Sequence, residues 1–570
     1  VGNGQHGTAH WAEHKEISQN FSILKYEPQL WRMGACRPTV DGTIVGFEKK
    51  GKDIYALIDT SDVHTLMVAA AGTGKTTFFL EPNIEYCCAT GMSFISTDTK
   101  GDIYRNCGYV AAKRYGYKIS VIDLRNPLKS DGFNLLHLVK KYMDEYKNDP
   151  MDITAKAKSE RYAKIVADSI IAADGDKYGA NTYFYDAAKG LIAALILIIS
   201  EYGNDNECHI VSVLKLMIEL LEAKPQKKSQ LKSETYFADL IKLLPPEHKA
   251  RWLSGAAINN ADQAALSVVS TALSRLNSLI DTETEQILCF NTAIDTETLC
   301  NEKCAVFIVL PEEDRTKYVI ANLIIEQISR EIYHIADENG GHLDKRIMIY
   351  FEEFGTMPPI SGVEAMFSAL RSRSVSIVAI IQSFAQLEKN YGKQGAEIIV
   401  DNTQLMLFGG FAPGSSSAEK LSKDLGKQTI LTGSISKGNG GKNSSRQSQQ
   451  LQMTGRELIT ADELKRLPKG TFICTKTGMS PFKVQLLFYE KLGIRYDEKL
   501  NAEIKEVKTV YYADRKSIIR VIKKQHIDDQ EDKMNKDENI SDIYEIITDY
   551  SLEEDDIFTE TPSSKKMIRT

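Results

Sequence analysis

Apolar residues along this chain follow two rhythms that alternate with position. Short, nearly continuous apolar runs occur at Ile54–Ile58, Thr65–Ala69, Met92–Ser96 and Ile119–Asp123. They return at Cys304–Leu310, Arg346–Phe351, Val375–Ile381 and Leu405–Phe408. Runs that are apolar on both faces predict strands covered on both sides, as in a parallel sheet flanked by helices. From Ile153 to about Ile280 the rhythm changes. Ala155–Ala173, Tyr183–Glu201, Ile210–Ala223 and Ala261–Leu279 carry apolar residues at helical spacing, with almost no strand signal between them. Tyr318–Ala336 is a further helix. The pattern predicts an α/β fold with an all-helical insertion, its sheet assembled from segments on both sides of the insertion.

The remaining segments are weaker in pattern. Val1–Glu48 holds few periodic stretches and reads as a lead-in that packs on the following domain. Gly433–Gln452 is rich in Gly, Ser, Asn and Gln and reads as a mobile loop. After Tyr496 the sheet signals fade, and His526–Glu560 is dominated by Asp and Glu, which predicts a solvated acidic tail; Ile540–Ile547 has the pattern of a short amphipathic helix within it. The expected domains are therefore residues 1–150 with 290–496, an all-helical domain at 151–289, and a disordered tail at 497–570. The longest apolar window, Leu191–Ile199, is too short to span a bilayer and reads as a buried helix. The chain opens at Val1 without Met or a signal-peptide pattern. That opening reads as a cut, which leaves room upstream for a targeting or membrane segment.

Chemistry enters at the end of the second run. Thr65-Leu66-Met67-Val68 leads into Ala69-Ala70-Ala71-Gly72-Thr73-Gly74-Lys75-Thr76-Thr77, and Phe78-Phe79-Leu80 follows. Strand, small-residue loop and helix in that order make a P-loop; a chance match would lack the frame. Backbone N–H groups of Gly72, Thr73, Gly74, Lys75, Thr76 and Thr77 would cradle phosphates at a helix N-terminus. Lys75 would reach the β/γ-phosphates of ATP, and the Thr76 hydroxyl would ligate Mg²⁺. Ala69 stands where the consensus has its first glycine, which predicts an adjusted first turn.

A second half of the site ends the strand Arg346–Phe351, where Glu352 and Glu353 follow. In P-loop ATPases the first such acid orients the Mg²⁺ shell and the second polarises the attacking water. Glu352 takes the first role here, one methylene longer than the usual Asp, and Glu353 the second. Gln382 follows the strand Val375–Ile381, at an end that faces the ligand crevice of a parallel sheet. Arg371, just before that strand, is a candidate for neutralising transition-state charge from a neighbouring subunit.

Net charge is −7, so no global basic field draws nucleic acid, and any contact must be a local patch. Two patches offer themselves: Lys156, Lys158 and Arg161 in the first inserted helix, with Lys164 beyond them, and Lys437, Lys442 and Arg446 in the polar loop. Either would grip phosphates without reading sequence. The competing reading is a solvated helix face and a linker. Nine scattered cysteines, with Cys300 and Cys304 lacking a second pair, fit a reducing cytosol.

Together these motifs resemble the type IV coupling proteins, the TraG/TraD-type ATPases of conjugation and type IV secretion. The resemblance runs to about Tyr496. It takes in Gly7–Ala12, His64, the P-loop, Asp98-Thr99-Lys100-Gly101-Asp102, Asn126-Pro127, Phe133-Asn134 and Phe184–Ala188. It continues through Glu353-Phe354-Gly355, Gln382-Ser383, Gln386-Leu387, Arg456–Thr460 and Asp462–Leu464. Arg371 falls where that family places a candidate trans-acting arginine. The resemblance implies a RecA-like nucleotide-binding domain carrying an all-alpha domain, and a homo-hexameric ring at the cytoplasmic face of the membrane. It also implies ATP hydrolysis between subunits and delivery of a relaxase with single-stranded DNA to a type IV secretion channel. Two rivals stand beside it: a double-stranded DNA translocase of the FtsK or HerA type, and a nucleotide-binding receptor platform with little turnover.

Overall fold

A computed structural model describes residues 4–172, 182–221, 236–255, 262–313, 317–360, 362–437 and 447–536. Three antiparallel strands come first: β1 (Ser22–Lys25), β2 (Thr43–Lys50) and β3 (Asp53–Asp59), in the order β1-β3-β2. The run Ile54–Ile58 thus lies in a small sheet of its own, outside the parallel sheet that its position before the P-loop suggested. This unit packs on the P-loop helix, as expected of the lead-in. Trp31 is buried with its ring edge-on to Tyr26 and beside Tyr86. Arg32 grips Glu85 through two N–H groups at 2.8 and 2.7 Å, and the Tyr115 hydroxyl donates to the same carboxylate at 2.6 Å.

The strands that follow are β4 (Thr65–Ala69), β5 (Ser93–Asp98), β6 (Lys118–Asp123), β7 (Cys304–Val309), β8 (Ile347–Phe351), β9 (Val375–Ile381) and β10 (Leu405–Gly409). Next come a two-stranded ribbon, β11 (Lys427–Lys437) with β12 (Gln447–Glu457), and finally β13 (Thr471–Lys476) and β14 (Phe482–Gln485). One nine-stranded sheet runs β14-β13-β10-β4-β9-β8-β5-β7-β6. The seven strands from β10 to β6 are parallel; β13 and β14 extend the β10 edge antiparallel. Every residue of β4, β5, β7, β8 and β9 is buried, which is why they read as continuous apolar runs rather than alternating ones. All parallel strands therefore present their C-terminal ends to one edge.

The helical insertion lies between β6 and β7. Its centre is the helix Thr182–Tyr202, in which every residue from Leu191 to Ile199 is buried. Helices Ile153–Ala172, Ile210–Leu221, Lys249–Leu253 and Asp262–Asn277 surround it. The sequence expectation that no segment reaches membrane-spanning length needs correction. Thr182–Tyr202, 21 residues long, has the length and composition to cross a bilayer. Its apolar surface is answered by the other inserted helices, as in the core of a helical domain. The helical layer also begins before residue 151, because His137–Asn148 packs along Ile153–Ala172.

Two further expectations are corrected. The polar stretch 433–452 was expected to be a loop, yet both its flanks are strands of the β11/β12 ribbon, in register from Lys427↔Glu457 to Lys437↔Gln447. Residues 6–9 add to its base: Ala9 N–H donates to the Lys427 carbonyl at 2.9 Å, and His6 N–H to the Thr429 hydroxyl at 3.1 Å. Cross-strand hydrogen bonds hold this ribbon, and its Gly, Ser and Gln content made the segment read as a loop. The segment after Tyr496 is also placed, as far as Lys536. Leu500 N–H bonds the Arg105 carbonyl, Lys505 N–H the Leu128 carbonyl, and Ala513 N–H the Ser212 hydroxyl. The helix Arg515–Lys536 then buries Ile518 and Ile522 against the helical insertion. The short apolar run Ile518-Ile519-Arg520-Val521-Ile522 opens a helix that is otherwise charged, and its partner surface lies on a distant part of the chain. Residues 537–570, including Ile540–Ile547, lie outside the described residues, as do Lys442 and Arg446.

Candidate nucleotide-binding site

Four neighbouring strands, β4, β9, β8 and β5, deliver the site. The loop after β4 turns through Gly72 and Gly74, whose φ values of 76° and 86° favour glycine. Ala69 does not take part in that turn. It is the last residue of β4, and the only non-glycine residue with positive φ among those described is Ser374. Alanine at the first consensus position therefore imposes no strain, and the adjusted turn expected from it is absent. The helix opens at Lys75 with a wide π turn over Lys75–Leu80, then continues as Glu81–Thr90.

Side chains converge on this loop. The Thr76 hydroxyl donates to Glu352 Oε1 at 2.9 Å. Glu352 Oε2 accepts from the Thr99 N–H and hydroxyl at 3.1 and 3.2 Å. Glu352, one methylene longer than the usual Asp, thus reaches Thr76 directly from the end of β8. Lys75 is buried; its ammonium donates to the Ala69 carbonyl at 3.2 Å and lies 3.7 Å from Glu353. Gln382 bridges from β9, donating to Glu353 Oε2 at 3.3 Å, while Gln386 Oε1 holds the Gln382 N–H at 2.8 Å. Five predicted residues thus converge in two adjoining sets, Thr76 with Glu352, and Lys75 and Gln382 with Glu353.

Burial sets the electrostatics. It pushes the Lys75 ammonium below its ordinary range, against the pull of Glu353 and Glu352. It pushes the Glu352 carboxyl up, helped by Asp98 nearby. Asp98 itself is raised by burial and spends both oxygens on the loop after β5, accepting from Lys100, Gly101 and Tyr104 N–H groups. Gly101, at φ 79°, sits against Arg125 so closely that a Cβ would fall 2.2 Å from its guanidinium. The Asp-Thr-Lys-Gly-Asp motif is therefore a built turn that carries Lys100 and Asp102 to the site.

The result is a cleft of about 470 Å³ lined by the P-loop, Glu81, Asp98, Lys100, Asp102, Asn106, Glu352 and Glu353. Tyr489 and Lys499 close it from the far end of the chain. Glu81, Asn106, Tyr489 and Lys499 were not anticipated. Glu81 lies one helical turn after Thr77, a spacing the sequence displays; nothing local points to Tyr489 or Lys499. A slightly larger cleft, about 490 Å³, lies elsewhere, between the loop Pro127–Asn134 and residues 505–511, away from these charged groups.

Other predicted residues fall outside the cleft. Arg371 opens the turn before β9, at the N-terminal end of the sheet, where it faces His64. The seven residues of β9 separate it from Gln382, roughly 20 Å at the usual rise per residue, so it does not serve the cleft of its own chain. Lys158 and Arg161 both pair with Glu338, at 2.9 and 3.4 Å, and Lys156 lies over the Tyr146 ring. These cations are engaged within the chain. Lys437 ends β11 at the far end of the ribbon.

The donor set suits a nucleotide with its metal. Gly72 and Gly74 with positive φ line the cleft beside the buried Lys75 ammonium, and Thr76 with Glu352 offers the hard oxygens that Mg²⁺ prefers. Fold and site together define a RecA-like P-loop NTPase domain with an inserted helical domain. The chain belongs to the family described as Type IV secretory system Conjugative DNA transfer, which matches residues 11–517. It is similar to the type IV secretion system-coupling proteins VirD4 of Bartonella henselae, 22% identical over 414 residues, and of Bartonella quintana, 22% identical over 453 residues. These alignments cover 71% and 77% of this chain and 59% and 65% of the relatives, so the chain spans about three-fifths of their length. Its fold is that of the bacterial conjugative coupling protein TrwBdeltaN70, with a TM-score of 0.55 at 14% identity over 89% of this chain and 99% of that one. TrwB in complex with ADP and Mg²⁺ matches equally, with a TM-score of 0.55 at 13% identity over 88% of this chain and all of that one.

Proposed function

We propose that this chain is the ATP-driven motor of a coupling protein, which receives a relaxase carrying single-stranded DNA and passes it to a type IV secretion channel during conjugation. The convergence of Lys75, Thr76, Glu352, Glu353 and Gln382 on one P-loop carries this reading. Family membership and the printed functions of the VirD4 and TrwB relatives support it.

In this reading the loop amides and Lys75 bind the phosphates of ATP. Thr76 and Glu352 hold Mg²⁺, which when bound neutralises phosphate charge. Glu353 accepts the proton of the attacking water, and Gln382, already hydrogen-bonded to Glu353, orients that water. The position of Arg371, remote from its own cleft, suits a neighbour's active site. That supports a ring of like subunits, six in the homo-hexamer we propose, at the cytoplasmic face of the membrane.

The test is the steady-state ATPase rate of this chain at increasing protein concentration, with and without single-stranded DNA. A rate per subunit that rises with both is expected of an assembling motor. Lys75→Ala and Glu353→Gln should each remove it. Two variants as active as the unaltered chain would show that the hydrolytic site lies elsewhere.

A further inference from the structure

The P-loop cleft contains a feature that phosphate binding does not use. Glu81 is only 3% exposed and lines the cleft, and its Oε2 has no hydrogen-bond partner among the described residues. Its Oε1 accepts from Asn106 Nδ2 at 3.3 Å, which leaves the Asn106 carbonyl oxygen, also buried, without a donor. Two acceptors therefore stand side by side in the wall of the cleft, both lacking a proton to receive. Such vacancies are costly in a folded protein unless a ligand or ordered water fills them.

Position narrows what can fill them. Glu81 follows Thr77 by four residues, so it stands one helical turn beyond the amides that cradle phosphate. Phosphate carries no donors and can satisfy neither acceptor, and burial, which raises the Glu81 carboxyl to about 7, favours a neutral donor there. A cation is a poor candidate, because the carboxylates whose charge reaches Glu81 are engaged elsewhere: Asp102 lies 3.9 Å from Arg105, Glu352 accepts from Thr76 and Thr99, and Asp98 has spent its oxygens on backbone N–H groups. No group of three His, Cys, Asp or Glu side chains suited to a metal assembles among the described residues. Tyr489 stands close enough to feel the charge of Glu81 and gives the same wall a flat apolar surface.

We infer that Glu81 and Asn106 form the nucleoside-recognition end of the cleft, accepting hydrogen bonds from the sugar hydroxyls or the exocyclic amine of the nucleotide, with Tyr489 flanking it. The chemistry shared by both sources is a neutral donor one helical turn beyond the phosphates. A carboxylate that receives ribose hydroxyls is an established way to hold a nucleotide. The inference rests on the nucleotide reading of the P-loop and adds to it which atoms distinguish a nucleotide from a bare polyphosphate.

Equilibrium binding to the full chain tests it, with ATP, 2′-deoxy-ATP, 3′-deoxy-ATP, inosine triphosphate and inorganic tripolyphosphate as competitors of one fluorescent nucleotide. Glu81→Gln should weaken ATP by about tenfold, the worth of one hydrogen bond, and leave tripolyphosphate unchanged. In the unaltered chain a similar loss should appear with the deoxy compounds if the donor is the sugar, or with inosine triphosphate if it is the amine. This second comparison needs no substitution and stands even if Glu81→Gln folds poorly. Equal affinity of the unaltered chain for all four nucleotides overturns the inference. So does a Glu81→Gln variant that binds ATP as tightly as before. Lys75→Ala separates the two levels: it should weaken tripolyphosphate and ATP alike, and no effect on either would overturn the nucleotide reading itself.

Discussion

On the helical insertion, charged side chains answer one another: Lys158 and Arg161 share Glu338, Lys189 and Arg330 share Asp168, and Lys140 holds Asp144 and Asp205. At the C-terminal edge of the sheet they do not. Lys75 is buried against a carbonyl and a carboxylate 3.7 Å away, Glu352 leans on two hydroxyls and an amide, and Glu81 keeps an acceptor unanswered. Burial of charge is costly unless it is paired. The difference teaches where to look for chemistry. Satisfied charges on the insertion describe a domain built to hold its shape, and under-satisfied ones at the sheet edge describe a place shaped for something else to complete it.

The sharpest way to break this contrast is Arg371, which belongs to neither group. Arg371→Ala should lower ATPase activity by about 10³-fold, the range of trans-acting arginines. Mixing it with Lys75→Ala chains should restore part of the rate, because some interfaces then pair a sound cleft with a sound arginine. No restoration would place the residue outside the reaction. Glu353→Gln comes next, with a loss of about 10²- to 10⁴-fold in turnover and little change in nucleotide affinity, read by comparing kcat with Kd.

A control on buried but fully paired charge is Arg32, whose partner Glu85 would be stranded. Arg32→Met should destabilise the chain by about 3–5 kcal/mol in denaturant unfolding. A loss under 1 kcal/mol would mean that this pair does not anchor the N-terminal sheet.

Glu331, on the helix Tyr318–Glu338, is buried beneath the insertion and accepts from Thr296 and Gln327. Burial raises its carboxyl from 4.5 to about 7, with Asp295 adding to the rise. The folded protein therefore holds a proton there that the unfolded chain releases. The stability this contributes is full below pH 4.5 and is lost as pH rises through 7. Relative to the unaltered chain, Glu331→Gln should gain up to about 3 kcal/mol between pH 5 and pH 8. A pH-independent difference would refute the buried protonated carboxyl. The smallest effect is expected on the insertion. Lys158→Glu with Arg161→Glu should cost about 1 kcal/mol or less and leave single-stranded DNA affinity unchanged. A salt slope reduced by about two would instead put these cations on the path of DNA.

Much of the parallel sheet was legible because its strands are buried on both faces and announce themselves as apolar runs; β4 and β9 fall on the expected residues. The P-loop and its acidic counterpart were legible because strand–loop–helix and strand–acid–acid are local patterns. What escaped notice was held by distant partners. The ribbon β11/β12 is held by cross-strand pairing of polar-rich segments, β13 and β14 exist because β10 offers an edge, and the C-terminal helix buries Ile518 and Ile522 on the insertion. The departure at Ala69 looked meaningful in sequence and is immaterial in space, since that position is ordinary strand.

By itself, the sequence determined the α/β class, the helical insertion, the phosphate-binding loop and the residue types at each strand end, because periodicity and loop composition act over a few residues of contiguous chain. Only the tertiary structure decided which of those residues meet. Glu352 touches Thr76 across 276 positions, Gln382 reaches Glu353 from the next strand, Tyr489 arrives beside Glu81 from the far end of the chain, and Arg371 is carried to the opposite edge of the sheet. Hydrogen bonds and ion pairs act over about 3–4 Å. Strand order and register set those distances, and no local pattern encodes them.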